Sequence, residues 1–234
     1  MINLKAGRIA LSALLLLVSL LAKYGPTVTH LVLQHEYNSQ LRKDREKVIS
    51  DRHDALFNDP AAPTAGNPNG DHHIAVFLDS NDPQRRAVDR TIQQALKHDP
   101  ELKVYYIPYS STRPGSKFAA RAVLAASKQG KFEAFHHRLM ATSLRLSGSD
   151  ILDIARDEGL DVERLKRDIK DPGIVNTVKH NSALAKKLSI HGGPAVVVGK
   201  RVVSGAANMH YLDRYLANER EKHRRPAGSP TSAF

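Results

Sequence analysis

The 234 residues carry 35 Lys and Arg against 24 Asp and Glu, a formal charge of +11, and no cysteine. The length allows one domain of ordinary size with appendages, and 41% hydrophobic residues without Trp suffice for an aliphatic core. Without a thiol, disulfides, thiolate catalysis and thiolate metal sites are all excluded for this chain. The basic excess favours an anionic partner such as an acidic protein face, phospholipid headgroups or nucleic acid. It serves solubility equally well, because the charges are spread along the whole chain.

In chain order, Lys5 and Arg8 precede an uninterrupted apolar run, Ile9 to Ala22. A positive start followed by such a run reads as a signal anchor over residues 1–34, with a cleaved signal peptide as the alternative. The positive-inside bias then keeps Lys5 and Arg8 in the cytoplasm and puts the rest on the periplasmic side of the inner membrane. Residues 35–57 are polar, free of Gly and Pro, and predict an exposed helical stalk. Leu33, Tyr37, Leu41, Val48 and Leu56 fall at a broken four-and-seven spacing, which leaves self-association through the stalk open.

Residues 58–71, "NDPAAPTAGNPNGD", are dense in Pro, Gly, Asn and Asp and predict a linker. A folded domain over 72–220 should follow. His73 to Leu78 predicts a strand, Pro83 to Lys97 a helix with Val88, Ile92, Ala95 and Leu96 at helical spacing, and Leu102 to Ile107 a second strand. Such a βαβ unit has a right-handed crossover and adjacent parallel strands. From 116 to 188 the pattern is helical throughout, with Ser149 or Asp150 as a cap and Gly173 to Leu188 as the last helix. "GPAVVVGKRVVSG" then predicts a hairpin turning at Gly199-Lys200, and Met209 to Arg220 a closing helix with Tyr211, Leu212, Tyr215 and Leu216 inward. The tail, 221–234, is expected to be disordered.

This order is that of a thioredoxin-like α/β fold with an inserted helical domain. The segments "RHDALFNDPAAPTAGNPNGD", "FAARAVLAASKQGKFEAFHHRLM", "GLDVERLKRDI" and "GGPAVVVG" resemble the DsbA-like thiol:disulfide oxidoreductases of the bacterial cell envelope over roughly residues 52–217. The resemblance implies a Phe-x-Asp approach, matched by Phe77-Leu78-Asp79-Ser80-Asn81, and then a Cys-x-x-Cys motif. Asp82-Pro83-Gln84-Arg85 stands in its place. It also implies a cis-proline loop, matched by Gly192-Gly193-Pro194, with Gly193 where the family has Thr. Mixed-disulfide chemistry needs a thiol, so the family's redox role is excluded for this chain alone.

Asp82 suits a position where the family keeps a thiolate, because a helix N-terminus offers unpaired N–H groups and the positive end of its dipole. Asp is a good N-cap and Pro is well placed at N1, so a structural role for Asp82 is sufficient. Arg85 and Arg86 oppose that dipole, and read as a solvated face or as partners for Asp82, Asp89 or an acidic ligand. A cis bond at Pro194 would let Gly193 present its N–H and C=O to an extended peptide. His72-His73 and His136-His137 are sequence neighbours pointing apart, so neither pair chelates one ion, and no metal or cofactor is expected.

The expectation is therefore a redox-inactive, membrane-tethered domain that binds a protein or peptide as chaperone, adaptor or scaffold, with no nucleic acid. The alternative is an enzyme similar to kappa-class glutathione transferases or the related isomerases. Their Ser-Pro pair is matched only at Pro83, and Ser80 lies before the cap.

Overall fold

The computed structural model describes residues 4–142, 145–205 and 212–224, apart from the side chains of 4–22, 24–26, 28, 213, 219, 220 and 222–224. The chain divides into two compact units, residues 1–44 and 45–234. The first consists of the helix α1 (Leu4–Asp51) up to residue 44, with Leu31, Val32, Leu33 and Tyr37 exposed. Among the described residues no helix is long and apolar enough to cross a membrane. The side chains of Ile9 to Ala22, on which the anchor expectation falls, lie outside the described residues.

In the second unit the last turn of α1 leads to α2 (His53–Phe57). Of the stretch 35–57 expected to be a solvated stalk, residues 45–57 are here part of the fold: Ile49, Leu56 and Phe57 are buried, and Phe57 meets Tyr105 edge-on at 6.1 Å. The presumed linker also holds a strand, β1 (Thr64–Gly66), paired antiparallel with β3 (Leu102–Pro108). Three residues are too few to show a period of two, and their Pro and Gly neighbours look like a loop.

β2 (His72–Leu78) and β3 are the predicted parallel pair, joined by α3 (Arg85–His98). The hairpin β4 (Ala195–Val198) and β5 (Arg201–Ser204) completes a five-stranded sheet of order β1-β3-β2-β4-β5, with β4 antiparallel to β2. Successive strand residues point to opposite faces, and both faces are buried. Ile74, Val76, Val104, Tyr106, Val196 and Val198 join one apolar cluster with α3. Ala75, Phe77, Tyr105, Ile107, Ala195 and Val197 join another with α2.

Between β3 and β4 run α4 (Ser116–Ser127), α5 (Phe132–Ala141), α6 (Gly148–Asp157), α7 (Val162–Asp168) and α8 (Pro172–Lys187). The cap of α6 is Ser147, with Asp150 as its reciprocal capping-box partner, because a Ser three residues before an acid can satisfy two N–H groups at once. Asp171 caps α8, so that helix begins one residue earlier than predicted, with Pro172 in its first turn. α9 (Leu212–Arg224) buries Leu212 and Leu216 and extends into the expected tail, while Tyr211 and 225–234 lie outside the described residues.

Candidate functional site

Strand β2 is apolar to Leu78 and then delivers Asp79, Ser80, Asn81 and Asp82, all buried. Buried polar groups must be paired, and these tie the strand end to the helical insertion. Asp79 is fully covered: its carboxylate accepts from the Asn81 N–H at 2.9 Å, from Ser116 Oγ at 2.6 Å and from Ser111 Oγ. Asn81 donates to Leu146 O at 2.9 Å and to Pro114 O at 3.1 Å, and its side-chain oxygen accepts from the Leu146 N–H at 2.8 Å. Gly115, at φ +81°, is required beside it, since a Cβ there would sit 2.6 Å from Asn81 Nδ2.

Asp82 accepts the Gln84 N–H through Oδ1 at 2.7 Å, and its backbone carbonyl accepts the Arg85 N–H at 3.1 Å. The regular helix starts at Arg85 rather than at Pro83, because Asp82 caps a tight turn that precedes it. Its other oxygen faces Arg113 Nη1 at 2.9 Å without hydrogen-bond geometry, so this pair is held by charge. Arg113, on the loop between β3 and α4, had no local sequence signal. Its partner is 31 positions away, and only the fold brings the two together.

Arg85 is buried, which corrects its reading as a solvated face. It donates to Thr142 O at 2.9 Å, Asp82 O at 3.2 Å and Leu139 O at 3.4 Å, and Arg86 donates to Ala141 O. The last carbonyls of α5 would otherwise lack partners, and cations are favourable at a helix C-terminus. The two arginines that oppose the dipole of α3 thus cap α5. Burial, and then the neighbouring Arg86, lower the Arg85 pKa from its ordinary value.

The loop Gly192-Gly193-Pro194 lies against this turn. A Cβ on Gly193 would be 3.8 Å from Gln84 Oε1 and 4.0 Å from Asp82 Oδ2, and one on Gly192 would be 3.6 Å from Arg113 Nη1. No peptide bond among the described residues is cis, so the expected cis bond at Pro194 is trans. Gly192 at φ +132° and Gly193 at φ +80° make the turn instead, in backbone regions that a Thr at 193 would resist. The Gly193 carbonyl accepts from Tyr109 OH at 2.7 Å, and the Pro194 carbonyl from the Gly205 N–H at 2.9 Å. Of the two Gly193 groups expected to meet a peptide backbone, the N–H alone has no partner among the described residues. Burial, then Asp79 and Asp82, push the Tyr109 hydroxyl pKa upward, which keeps that donor neutral.

The histidines face carboxylates and a backbone carbonyl, with His136 and His137 both beside Asp89. His72 Nδ1 lies 3.0 Å from Asp99 and His136 Nε2 3.2 Å from Asp89, while His73 Nε2 bonds Gly70 O at 2.9 Å. No group of three or more His, Asp or Glu among the described residues is placed to hold a metal ion.

Comparison with known proteins agrees with this arrangement. The family described as DSBA-like thioredoxin domain matches residues 78–217. A thioredoxin-like oxidoreductase from Silicibacter pomeroyi DSS-3 is 40% identical, with a TM-score of 0.68 over 72% of this chain and 97% of that one. A Proteus mirabilis ScsC variant with a linker deletion is 25% identical, with a TM-score of 0.73 over 88% and 94% of the two chains. Among curated proteins, the Na(+)/H(+) antiporter NhaA 3 of Salinispora tropica is 28% identical over 107 residues, which make up 46% of this chain and 16% of the antiporter's length. With that family matched over more than half of its length and no cysteine anywhere in the sequence, the chain belongs to the DSBA-like thioredoxin family and has lost its Cys-x-x-Cys motif.

Proposed function

We propose that the chain is a redox-inactive binding module of the cell envelope, tethered at the periplasmic side of the inner membrane by its N-terminal segment, that takes a partner polypeptide beside Gly192, Gly193 and Pro194. One observation carries this reading. Asp82 and Arg85 are buried and committed to the fold, whereas Pro83 and Gln84 between them stay exposed, Gln84 next to Gly193. The ends of the former motif have become structural, and its middle still forms a surface.

Arg113 supports the same reading, since a third of its side chain is open to solvent beside the glycine pair and can meet an acidic group or a peptide carbonyl. The tether rests on Lys5 and Arg8 followed by Ile9 to Ala22. The exposed Leu31, Val32, Leu33 and Tyr37 suit self-association through the helix, which a monomer mass in sedimentation equilibrium would remove.

The test is photo-crosslinking of the full chain with benzoylphenylalanine at Gln84, carried out on carbonate-washed membranes. The expected result is a discrete adduct that is lost when Gly193→Trp fills the surface. Recovery of the chain in the wash would remove the tether, and labelling no stronger than from a probe at Lys97 would remove the site.

A further inference from the structure

A second surface lies on the outward side of α8. Two cavities of about 310 and 390 Å³ adjoin along this helix and share Thr177. In the first, Thr177, His180, Leu184 and Lys187 follow one another at spacings of three and four, which is one face of a helix. Arg52 and Ala55, three apart, form the opposite wall. Ala55 and Ala183 are too small to fill the space, and buried Leu184 gives it an apolar floor. The second cavity continues past Pro60 and Ala61 toward Gly173.

Cations outnumber acids on this surface, with Arg52, Lys128 and Lys187 against Asp59 and Asp171. Helix α8 carries Lys179, His180, Lys186 and Lys187, all exposed, and no Asp or Glu from Pro172 to Lys187. Arg52 and Lys187 make no ion pair among the described residues. The two acids that line the cavities are engaged within the chain: Asp59 accepts the Ala61 N–H at 2.9 Å, and Asp171 caps α8 and pairs with Lys128 at 3.1 Å. Asn181 spends an amide hydrogen on Pro108 O and keeps its side-chain oxygen as an acceptor.

We propose that this groove docks an extended acidic peptide segment of a partner protein. From Gly173 to Lys187 the helix rises about 21 Å, the length of roughly six extended residues. Two joined notches suit the alternating side chains of such a strand better than a single small anion. The Asn181 oxygen suits a peptide N–H, which a lipid headgroup phosphate does not offer. The cations supply complementarity that acts on encounter rate and register, and the net charge of +11 adds attraction at longer range. None of these residues belongs to the β2–α3 junction, so the groove and the Gly193 surface succeed or fail separately.

The experiment titrates the full chain in detergent against a fluorescein-labelled hexapeptide of alternating Glu and Ala, with a Lys/Ala hexapeptide and vesicles containing phosphatidylglycerol as the other arms. The acidic peptide should bind with an affinity that falls with salt and drops at least tenfold in Arg52→Glu/Lys187→Glu. Gly193→Trp should leave it unchanged. Should the double variant not fold by circular dichroism, Ala183→Trp fills the groove with every charge in place and must cause the same loss. Equal binding by the folded variants, equal binding of the Lys peptide, or binding to vesicles with the acidic peptide inert would overturn the proposal.

Discussion

Asp82 does two jobs at the β2–α3 junction, accepting the Gln84 N–H through one oxygen and facing Arg113 with the other. Substitutions separate them. Asp82→Asn keeps the accepting oxygen and removes the charge, whereas Asp82→Ala removes both, so the alanine variant should be the less stable of the two by about 0.5–2 kcal/mol in urea unfolding. Equal stabilities would mean that only the charge matters. Arg85 is the stricter case, because its fork serves the carbonyls of Asp82, Leu139 and Thr142 together. At about 1–3 kcal/mol for a buried acceptor left unsatisfied, Arg85→Met should cost at least ~2 kcal/mol, and Arg85→Lys should not restore it because an ammonium cannot reproduce the planar fork. A lysine variant as stable as wild type would refute that account.

At the scale of elements, the molecule borrows caps between helices as well as within them. The start of α3 closes the end of α5, and Asp171 closes the start of α8 while pairing with Lys128 from the loop after α4. The Lys128 ammonium first, and then the Gly173 and Ile174 N–H groups, hold the Asp171 carboxyl below its ordinary pKa of 3.8. A lowered folded-state pKa contributes stability that is fully present above the unfolded value and is lost as pH falls through the folded value. Asp171→Asn keeps the cap oxygen and loses the charge. Its melting temperature should lie below wild type at pH 7, and the gap should close as the pH drops below 3.8. A gap that is constant from pH 7 to pH 2 would assign the effect to something other than this carboxylate.

At the scale of the molecule, the second unit extends earlier than residue 58. Leu56 is fully buried and Phe57 stacks over the β2–β3 face. Leu56→Ala should therefore cost about 2–5 kcal/mol, as other buried leucines do. Residues 58–224 expressed alone should melt below residues 45–224, since the sheet face carrying Phe77 and Tyr105 would lose its cover. Equal melting temperatures would return this stretch to the status of a solvated stalk.

The parallel β2–β3 pair, the run of helices, the hairpin and the closing helix were legible in the sequence because each is long enough to display its own period. The three residues of β1 were not. Asp82 could also be found, since a polar run directly after an apolar strand marks a turn into a helix, and the family resemblance placed it. What it touches could not be read. The pairing of Asp82 with Arg113, the three side-chain hydrogen bonds of Asn81 and the capping of α5 by Arg85 join residues 31 to 65 positions apart. The trans bond before Pro194 and the Tyr109 bond to Gly193 likewise depend on how the loop packs. By itself the sequence determined that this chain carries out no thiol chemistry, because it holds no cysteine. Only the tertiary structure decided that Asp82 and Arg85 are fixed inside the fold, because burial and long-range hydrogen bonding are properties of packing rather than of local order.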